Sequence, residues 1–290
     1  MSRVWFITGS SRGFGRALAR AALEAGDSVA ATARRPEQLS ELAESHGDRV
    51  LPLELDVTDA PRCADALDAA LQRFGRVDVV VNNAGYANVA PIETGDDDDF
   101  RAQFETNFWG VYNVSRAAIP VLRAQGGGLI IQFSSGGGRV GGVPGIASYQ
   151  AAKFAIDGFS RVLRAETAPF GVKVLVVEPS GFATDWAGSS MSISDVPDLY
   201  AATVGEMVSQ TLSSPAITAG DPARAADILV RMSRREHVPY HLPLGVISVE
   251  SCTQHDEKLL IEDRLWADVG RSADFGEHYP VDFPPDEAAD

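Results

Sequence analysis

A doubly wound α/β fold is what this sequence predicts: a mostly parallel, seven-stranded sheet flanked by helices, with a helical C-terminal extension. Two observations carry that expectation. Short apolar runs of strand length alternate along the chain with stretches of helical periodicity, the pattern of parallel strands joined by crossover helices. The first run breaks into a glycine-rich turn just before a helical pattern, placing free backbone N–H groups where a phosphate is attracted. With 290 residues, 45% of them apolar, the chain can bury a large core. One domain over residues 1–290 is therefore expected, with a cofactor-binding and catalytic core at 1–184, a substrate-side flap at 185–215 and a C-terminal helix and tail at 246–290.

Residues 3–8 form the first strand and lead into Gly9-Ser10-Ser11-Arg12-Gly13-Phe14-Gly15, followed by a helical pattern through Ala25. The glycines permit a tight turn and close approach of a pyrophosphate, whereas a merely structural turn is the plainer alternative. Residues 28–32 are the second strand, and Ala33-Arg34-Arg35-Pro36 follows with a helix to about Ser45. An acid at this strand end binds a ribose 2′-hydroxyl and an arginine accommodates a 2′-phosphate. Two arginines and no acid stand here, so with Arg12 in the phosphate turn the cluster favours NADP(H) over NAD(H). Arg34 and Arg12 are the stronger candidates, and Arg35 reads equally as a solvated side chain.

Residues 50–55 are the third strand, ending in Asp56-Val57-Thr58-Asp59 before a helix through Phe74. Asp56 can accept from an adenine amino group, and capping by Thr58 or Asp59 accounts for the rest of the tetrad. The fourth strand, 77–81, delivers Asn82-Asn83-Ala84-Gly85 to its carboxyl end, where ligands of open α/β sheets sit. Those amides equally suit the locking of neighbouring loops. Asp96 to Asp99 open a long helical run to Leu122, where acids suit the positive end of the helix rather than a metal. Asn107 lies inside that run, an unfavourable position unless its side chain bonds or bends something.

The fifth strand, 129–133, brings Ser134 and Ser135 to the same edge, and a glycine-rich loop at 136–145 leads to a helix running to about Ala168. This helix carries Tyr149 and Lys153 one turn apart, so phenol and ammonium share a face. Lysine is scarce in this chain, at Lys153, Lys173 and Lys258 only, which sharpens the pairing. A cation held close lowers a phenol's pKa from about 10 toward useful proton exchange, and Ser135 can hydrogen-bond the same substrate oxygen. A surface tyrosine beside a solvated lysine is the bland alternative.

The sixth strand is 172–177, left by the turn Glu178 to Thr184. Residues 185–215 mix small and polar residues with Trp186, Met191, Ile193, Leu199, Tyr200 and Met207, as a flap over a cleft or a packed connector would. A helix from Pro222 to Ser233, a last strand at 240–242, a terminal helix at 246–268 and an extended, Pro-rich end from Phe275 complete the chain.

The formal charge of −15 and pI near 4.7 exclude nucleic acid and anionic membranes as natural partners. Cys63 and Cys252 are too few for a disulfide framework, and the N-terminus carries no secretion signal, so a cytoplasmic protein is expected.

In the order Thr8-Gly9-Ser10-Ser11-Arg12-Gly13-Phe14-Gly15, Asp56-Val57, Asn82-Asn83-Ala84-Gly85, Asn107, Ser135, Tyr149-x-x-x-Lys153 and Pro179 to Thr184, the chain resembles the short-chain dehydrogenase/reductase family over about residues 3–245. The resemblance implies a Rossmann-like fold with Tyr149 as general acid/base and Lys153 as the group that tunes it and holds the nicotinamide ribose. It further implies Ser135 as polariser of the carbonyl and Asn107 as support for a proton-relay water. Gly9, Ser11, Arg12, Gly13, Phe14, Gly15, Arg34, Asp56, Val57, Asn83, Ala84, Gly85, Pro179, Gly181 and Thr184 would join Tyr149 and Lys153 around the cofactor. The sequence departs from the family pattern twice. Ser135 precedes Tyr149 by one residue more than is usual, and Ser180 replaces the common glycine after Pro179.

The implied activity is hydride transfer between nicotinamide and a carbonyl or secondary alcohol, read as ketoreduction of a fairly bulky apolar substrate. NAD-linked alcohol oxidation, a non-catalytic NADP-binding regulator, and epimerase or dehydratase chemistry are the alternatives. A homodimer or homotetramer through the helices at about 98–122 and 148–168 is implied as well, with the C-terminal segment able to obstruct it.

Overall fold

The computed structural model describes residues 2–184, 191–213 and 219–285. Nine strands form among them: β1 (Val4–Ile7), β2 (Ser28–Ala33), β3 (Val50–Glu54), β4 (Val79–Asn82), β5 (Ala87–Val89), β6 (Gly128–Phe133), β7 (Val172–Pro179), β8 (Met191–Ile193) and β9 (His241–Leu244). The helices are α1 (Gly13–Glu24), α2 (Ser40–His46), α3 (Ala60–Phe74), α4 (Asp97–Phe104), α5 (Gly110–Ala124), α6 (Ala147–Thr167), α7 (Glu206–Ser213), α8 (Pro222–Ser233), α9 (Val246–Leu265) and α10 (Ala267–Arg271).

Seven strands make one sheet in the order β3-β2-β1-β4-β6-β7-β9, and every pairing in it is parallel. The chain starts at β1, winds outward through β2 and β3, then crosses back to β4 and winds the other way. The switch between β1 and β4 opens a crevice beyond their carboxyl ends. β1 is buried along its whole length because helices cover both faces of the sheet. Trp5 and Ile7 join one apolar cluster with Leu18 of α1 and Leu229 of α8, while Phe6 joins the opposite one with Leu67 of α3 and Leu122 of α5. Each such fully buried side chain contributes about 1.5–3 kcal/mol.

The helix starts follow from their caps. Asp59 accepts from the Arg62 N–H at α3, Asp96 from Asp98 and Asp99 at α4, and Asp221 from Ala223 and Arg224 at α8. The acidic run at 96–99 thus opens with a cap.

The structure differs from the sequence reading in four places. The long run expected to reach Leu122 is two α-helices joined by a π-helical segment at Glu105–Trp109. The stretch before α2 is a separate 3-10 turn at Pro36–Leu39, and the terminal helix breaks at Trp266 into α9 and α10. Residues 191–213 include the short strand β8, which pairs in parallel with β5 as a second small sheet. Trp186 of the expected flap lies outside the described residues.

Candidate active site

The carboxyl ends of the strands surround a cavity of about 620 Å³. Its near wall is the turn between β1 and α1. Gly15 packs so tightly there that an added β-carbon would lie 2.2 Å from the Gly9 carbonyl oxygen, which is why the helix can begin directly over the strand end. Gly15 does not line the cavity; its work is this close approach. Every other residue expected around the cofactor does line it: Gly9, Ser11, Arg12, Gly13, Phe14, Arg34, Asp56, Val57, Asn83, Ala84, Gly85, Tyr149, Lys153, Pro179, Gly181 and Thr184.

Two side chains fix the switch point. Thr8 Oγ1 donates to the Val81 carbonyl and accepts from the N–H groups of Asn83 and Ala84, at 2.9 and 3.1 Å. Asn83 Nδ2 donates to the carbonyls of Thr8 and Gly9. Asn83 therefore locks the loops and also faces the cavity, while Asn82 is committed to Ser115 and Gln132 inside the core. The Phe14 ring lies 5.4 Å from Phe133 and 4.8 Å from Phe182, tying the glycine turn to the far side of the crevice.

At the basic end, Arg34 and Arg35 follow β2, are exposed and both line the cavity. Asp56 Oδ1 accepts from the backbone and hydroxyl of Thr58, at 3.0 and 2.8 Å, which holds its carboxylate at the cavity edge.

At the other end, Tyr149 and Lys153 are buried, at 8% and 5% exposure, on the first turns of α6. Lys153 Nζ donates to the Phe133 carbonyl at 2.7 Å and lies 5.5 Å from the centre of the Tyr149 ring. Tyr149 is hydrogen-bonded to Ser135. The Ser135 oxygen also accepts from the Gly137 N–H at 3.1 Å, which holds the hydroxyl beside the phenol. Ser134 is not interchangeable with it: Ser134 Oγ is buried and donates to the Lys153 carbonyl at 3.1 Å. The extra residue between Ser135 and Tyr149 does not displace the pair. The loop holding it takes two consecutive left-handed glycines, Gly141 at φ 72° and Gly142 at φ 74°.

The expected depression of the Tyr149 pKa by Lys153 is not what the geometry produces. Burial pushes the phenol up to about 12, with only the Ser135 hydrogen bond pulling it back. Burial likewise brings the Lys153 ammonium down to about 8. Desolvation outweighs attraction because the ammonium is turned to the Phe133 carbonyl.

Asn107 sits in the π-helical segment with no exposure. Its Nδ2 donates to the carbonyls of Tyr86 and Gln103 at 2.8 and 2.9 Å, and its Oδ1 accepts from the Tyr86 N–H at 3.2 Å. Widening to an i→i+5 turn shifts the backbone ladder, and the side-chain amide serves the Gln103 carbonyl instead.

Sequence reasoning missed several walls. Ile247, Ser248 and Ser251 of α9 line the cavity, as does Thr211 of α7. The described part of residues 185–215 packs on the start of α6, where Val204, Met191, Tyr200 and Met207 surround Tyr149 and Ile146. Arg139 braces this side, donating to Glu178 at 3.1 Å and pairing with Asp256 of α9. Ser180 is absorbed without distortion, its N–H donating to the Leu244 carbonyl at 2.9 Å.

Fold and cavity together define a nucleotide-binding α/β protein of the doubly wound class. The short chain dehydrogenase family matches residues 3–193. The oxidoreductase BOA17 of Botryotinia fuckeliana is 47% identical over 93% of this chain and 98% of its own length. A crystal structure of a short-chain dehydrogenase from Streptomyces avermitilis superposes with a TM-score of 0.87 at 39% identity, covering 95% of this chain and 99% of that one. A short chain dehydrogenase from Burkholderia cenocepacia, solved in complex with NADP, gives 0.71 at 28% identity over 91% and 96%. The chain belongs to the short-chain dehydrogenase family and is an oxidoreductase of that family.

Proposed function

We propose that the protein is an NADP(H)-dependent reductase of ketones or aldehydes, with Ser135, Tyr149, Lys153 and Asn107 as its catalytic set. The observation that carries this reading is the buried Ser135–Tyr149 hydrogen bond beside Lys153, in the same cavity that Arg34 and Arg35 line. The residues fit a dinucleotide. The glycine turn and the Ala84 backbone approach so closely that a β-carbon on Gly9 would lie 3.0 Å from Ala84 Cα, and the cationic side chains that line the cavity after β2 support a 2′-phosphate there.

Arg34, with Arg12 and Arg35, would take the 2′-phosphate, and the Gly9 to Gly13 turn the pyrophosphate. Asp56 and Val57 would flank the adenine. Thr184 lies against Gly13, where a β-carbon would stand 3.6 Å from its Cβ, and would fix the pyrophosphate or carboxamide. Pro179 and Gly181 would border the nicotinamide. When bound, the reduced cofactor supplies the hydride that forms the new C–H bond at the carbonyl carbon.

The protein supplies the rest. Ser135 holds the substrate oxygen by hydrogen bonding. The Tyr149 O–H breaks and its proton passes to that oxygen, giving the alcohol, and the phenolate takes a proton back from solvent on the Lys153 and Asn107 side of the site. A phenol raised by burial stays protonated at neutral pH, as a proton donor must. In the reverse step the same group, as phenolate, would take the proton from an alcohol. Phe100, Trp109, Phe154 and Val162 leave apolar surface exposed on α4, the π-helical segment and α6, supporting a homo-oligomer through these helices.

The test is a screen of the purified chain with NADPH and with NADH against varied ketones and aldehydes, followed at the nicotinamide absorbance. NADPH-dependent loss with some members is expected. NADH preference would remove the cofactor assignment, and no oxidation of either cofactor would remove the activity.

A further inference from the structure

We infer that the substrate is an uncharged carbonyl compound, and that the site excludes carboxylate, sulfonate and phosphate bearers. The inference rests on the reductase reading and adds the charge class of its substrate. Four stretches of chain build the catalytic end: the loop and strand after β4, the loop before Tyr149, the described residues of the segment after β7, and the start of α9. Apart from Arg139 in the loop before Tyr149, which donates to Glu178, pairs with Asp256 and does not line the cavity, none contains a cation. Residues 77–100, 140–152, 174–223 and 242–254 hold no Lys, Arg or His. The third range includes 185–190 and 214–218, so those residues bring no positive charge either. The charges these stretches do carry are acidic, among them Glu93, Asp195, Asp198, Glu206 and Glu250.

The cations lining the cavity are, among the described residues, Arg12, Arg34, Arg35 and Lys153. Arg34 and Arg35 follow β2, which is separated from β6 and its Ser135 by β1 and β4. Three strand spacings of about 4.8 Å put roughly 14 Å between those strand ends. Arg12 belongs to the phosphate turn. Lys153 is turned to the Phe133 carbonyl and is the group that the reaction itself uses.

An anionic substrate entering this end would be desolvated beside Val143 and Ile247 with no counter-charge. The net charge of −15 would oppose its approach as well. A neutral ketone meets no such cost, and Thr211 and Ser251 remain to meet a polar but uncharged group.

The experiment compares matched ketones on one skeleton, with NADPH saturating: methyl 4-acetylbenzoate, 4-acetylbenzamide and 4-acetylbenzoate, and the corresponding ester, amide and acid of 4-oxopentanoate. Neutral members should exceed the carboxylates in kcat/KM by at least about 100-fold, the scale of one buried unpaired charge. The ratio should persist at about 0.5 M salt, where the long-range field is screened and the lining alone discriminates. Ile247→Arg or Thr211→Arg should raise carboxylate turnover at least about tenfold, by one paired charge. Carboxylates reduced within about threefold of the amides would overturn the inference while leaving the reductase reading intact. Reduction of no member, charged or neutral, would remove the reductase reading and this inference with it.

Discussion

Asn107 and Lys153 approach each other across Gly85: a β-carbon there would lie 2.5 Å from Asn107 Oδ1 and 3.6 Å from Lys153 Nζ. Neither neighbour can move aside freely, since Asn107 is held by Tyr86 and Gln103 and Lys153 by Phe133. Gly85→Ala should therefore lower kcat/KM by about 10- to 100-fold, as a misplacement of about 1 Å does. The NADPH oxidation assay checks it, with circular dichroism showing an intact fold; an alanine variant of wild-type activity would refute the proposed role of this gap.

Tyr149→Phe removes the hydroxyl bonded to Ser135. Turnover should drop at least about 100-fold, the lower range for a lost general acid. NADPH affinity, read by fluorescence titration, should stay near wild type. Retained turnover would dismiss the phenol as proton donor.

Arg34→Ala should weaken NADPH at least about tenfold and NADH little, because a 2′-phosphate loses a charge-assisted partner that a 2′-hydroxyl never had. Equal losses for both cofactors would place the phosphate elsewhere.

The pH profile follows from burial. Lys153, brought down to about 8, carries its charge below that pH and loses it above, whereas Tyr149 stays protonated until about 12. Reductive kcat/KM should hold below about pH 8 and then fall about tenfold per pH unit. A level profile to about pH 10 would mean that the ammonium charge is not required.

Behind the site, His241 Nε2 meets Asp157 Oδ1 at 2.7 Å. Burial raises the Asp157 carboxyl, but hydrogen bonds from His241 and Arg161 overcome it and hold the group down to about 2. A depressed carboxylate contributes stability that is fully present above its unfolded pKa, about 4, and lost as pH falls through the folded value. Asp157→Asn should cost about 1–3 kcal/mol near neutral pH, and the gap from wild type should close toward about pH 2 in thermal melts. A gap constant with pH would deny Asp157 this role.

The centre of the main sheet was legible because its strands are largely apolar runs covered on both faces; β1, with Val4 to Ile7 all buried, is the clearest case, whereas β3 at the edge alternates buried and exposed residues. The glycine turn, the basic pair after β2 and the Tyr149-Lys153 spacing were legible because each is local in the chain. β5 and β8 were not, since Ala87-Asn88-Val89 and Met191-Ser192-Ile193 become strands only by pairing with each other. Thr8 was legible as part of the glycine motif but its locking role was not, because its partners lie 73 or more residues away. Asn107 was visible as an oddity, but the wider turn around it was not. The ionisation of Tyr149 was misread because spacing reports a neighbour and says nothing of depth.

The winding of the sheet has a consequence for how such a protein can be altered. The side chains that would meet the adenine and the 2′-phosphate, Arg12, Arg34, Arg35 and Asp56, are encoded before residue 60, and the substrate walls Val143, Thr211, Ile247 and Ser251 are encoded after residue 140. A gene spliced once between α3 and β4 would thus inherit its coenzyme preference from one parent and its choice of carbonyl from the other, and β1 and β4 would be the seam to match.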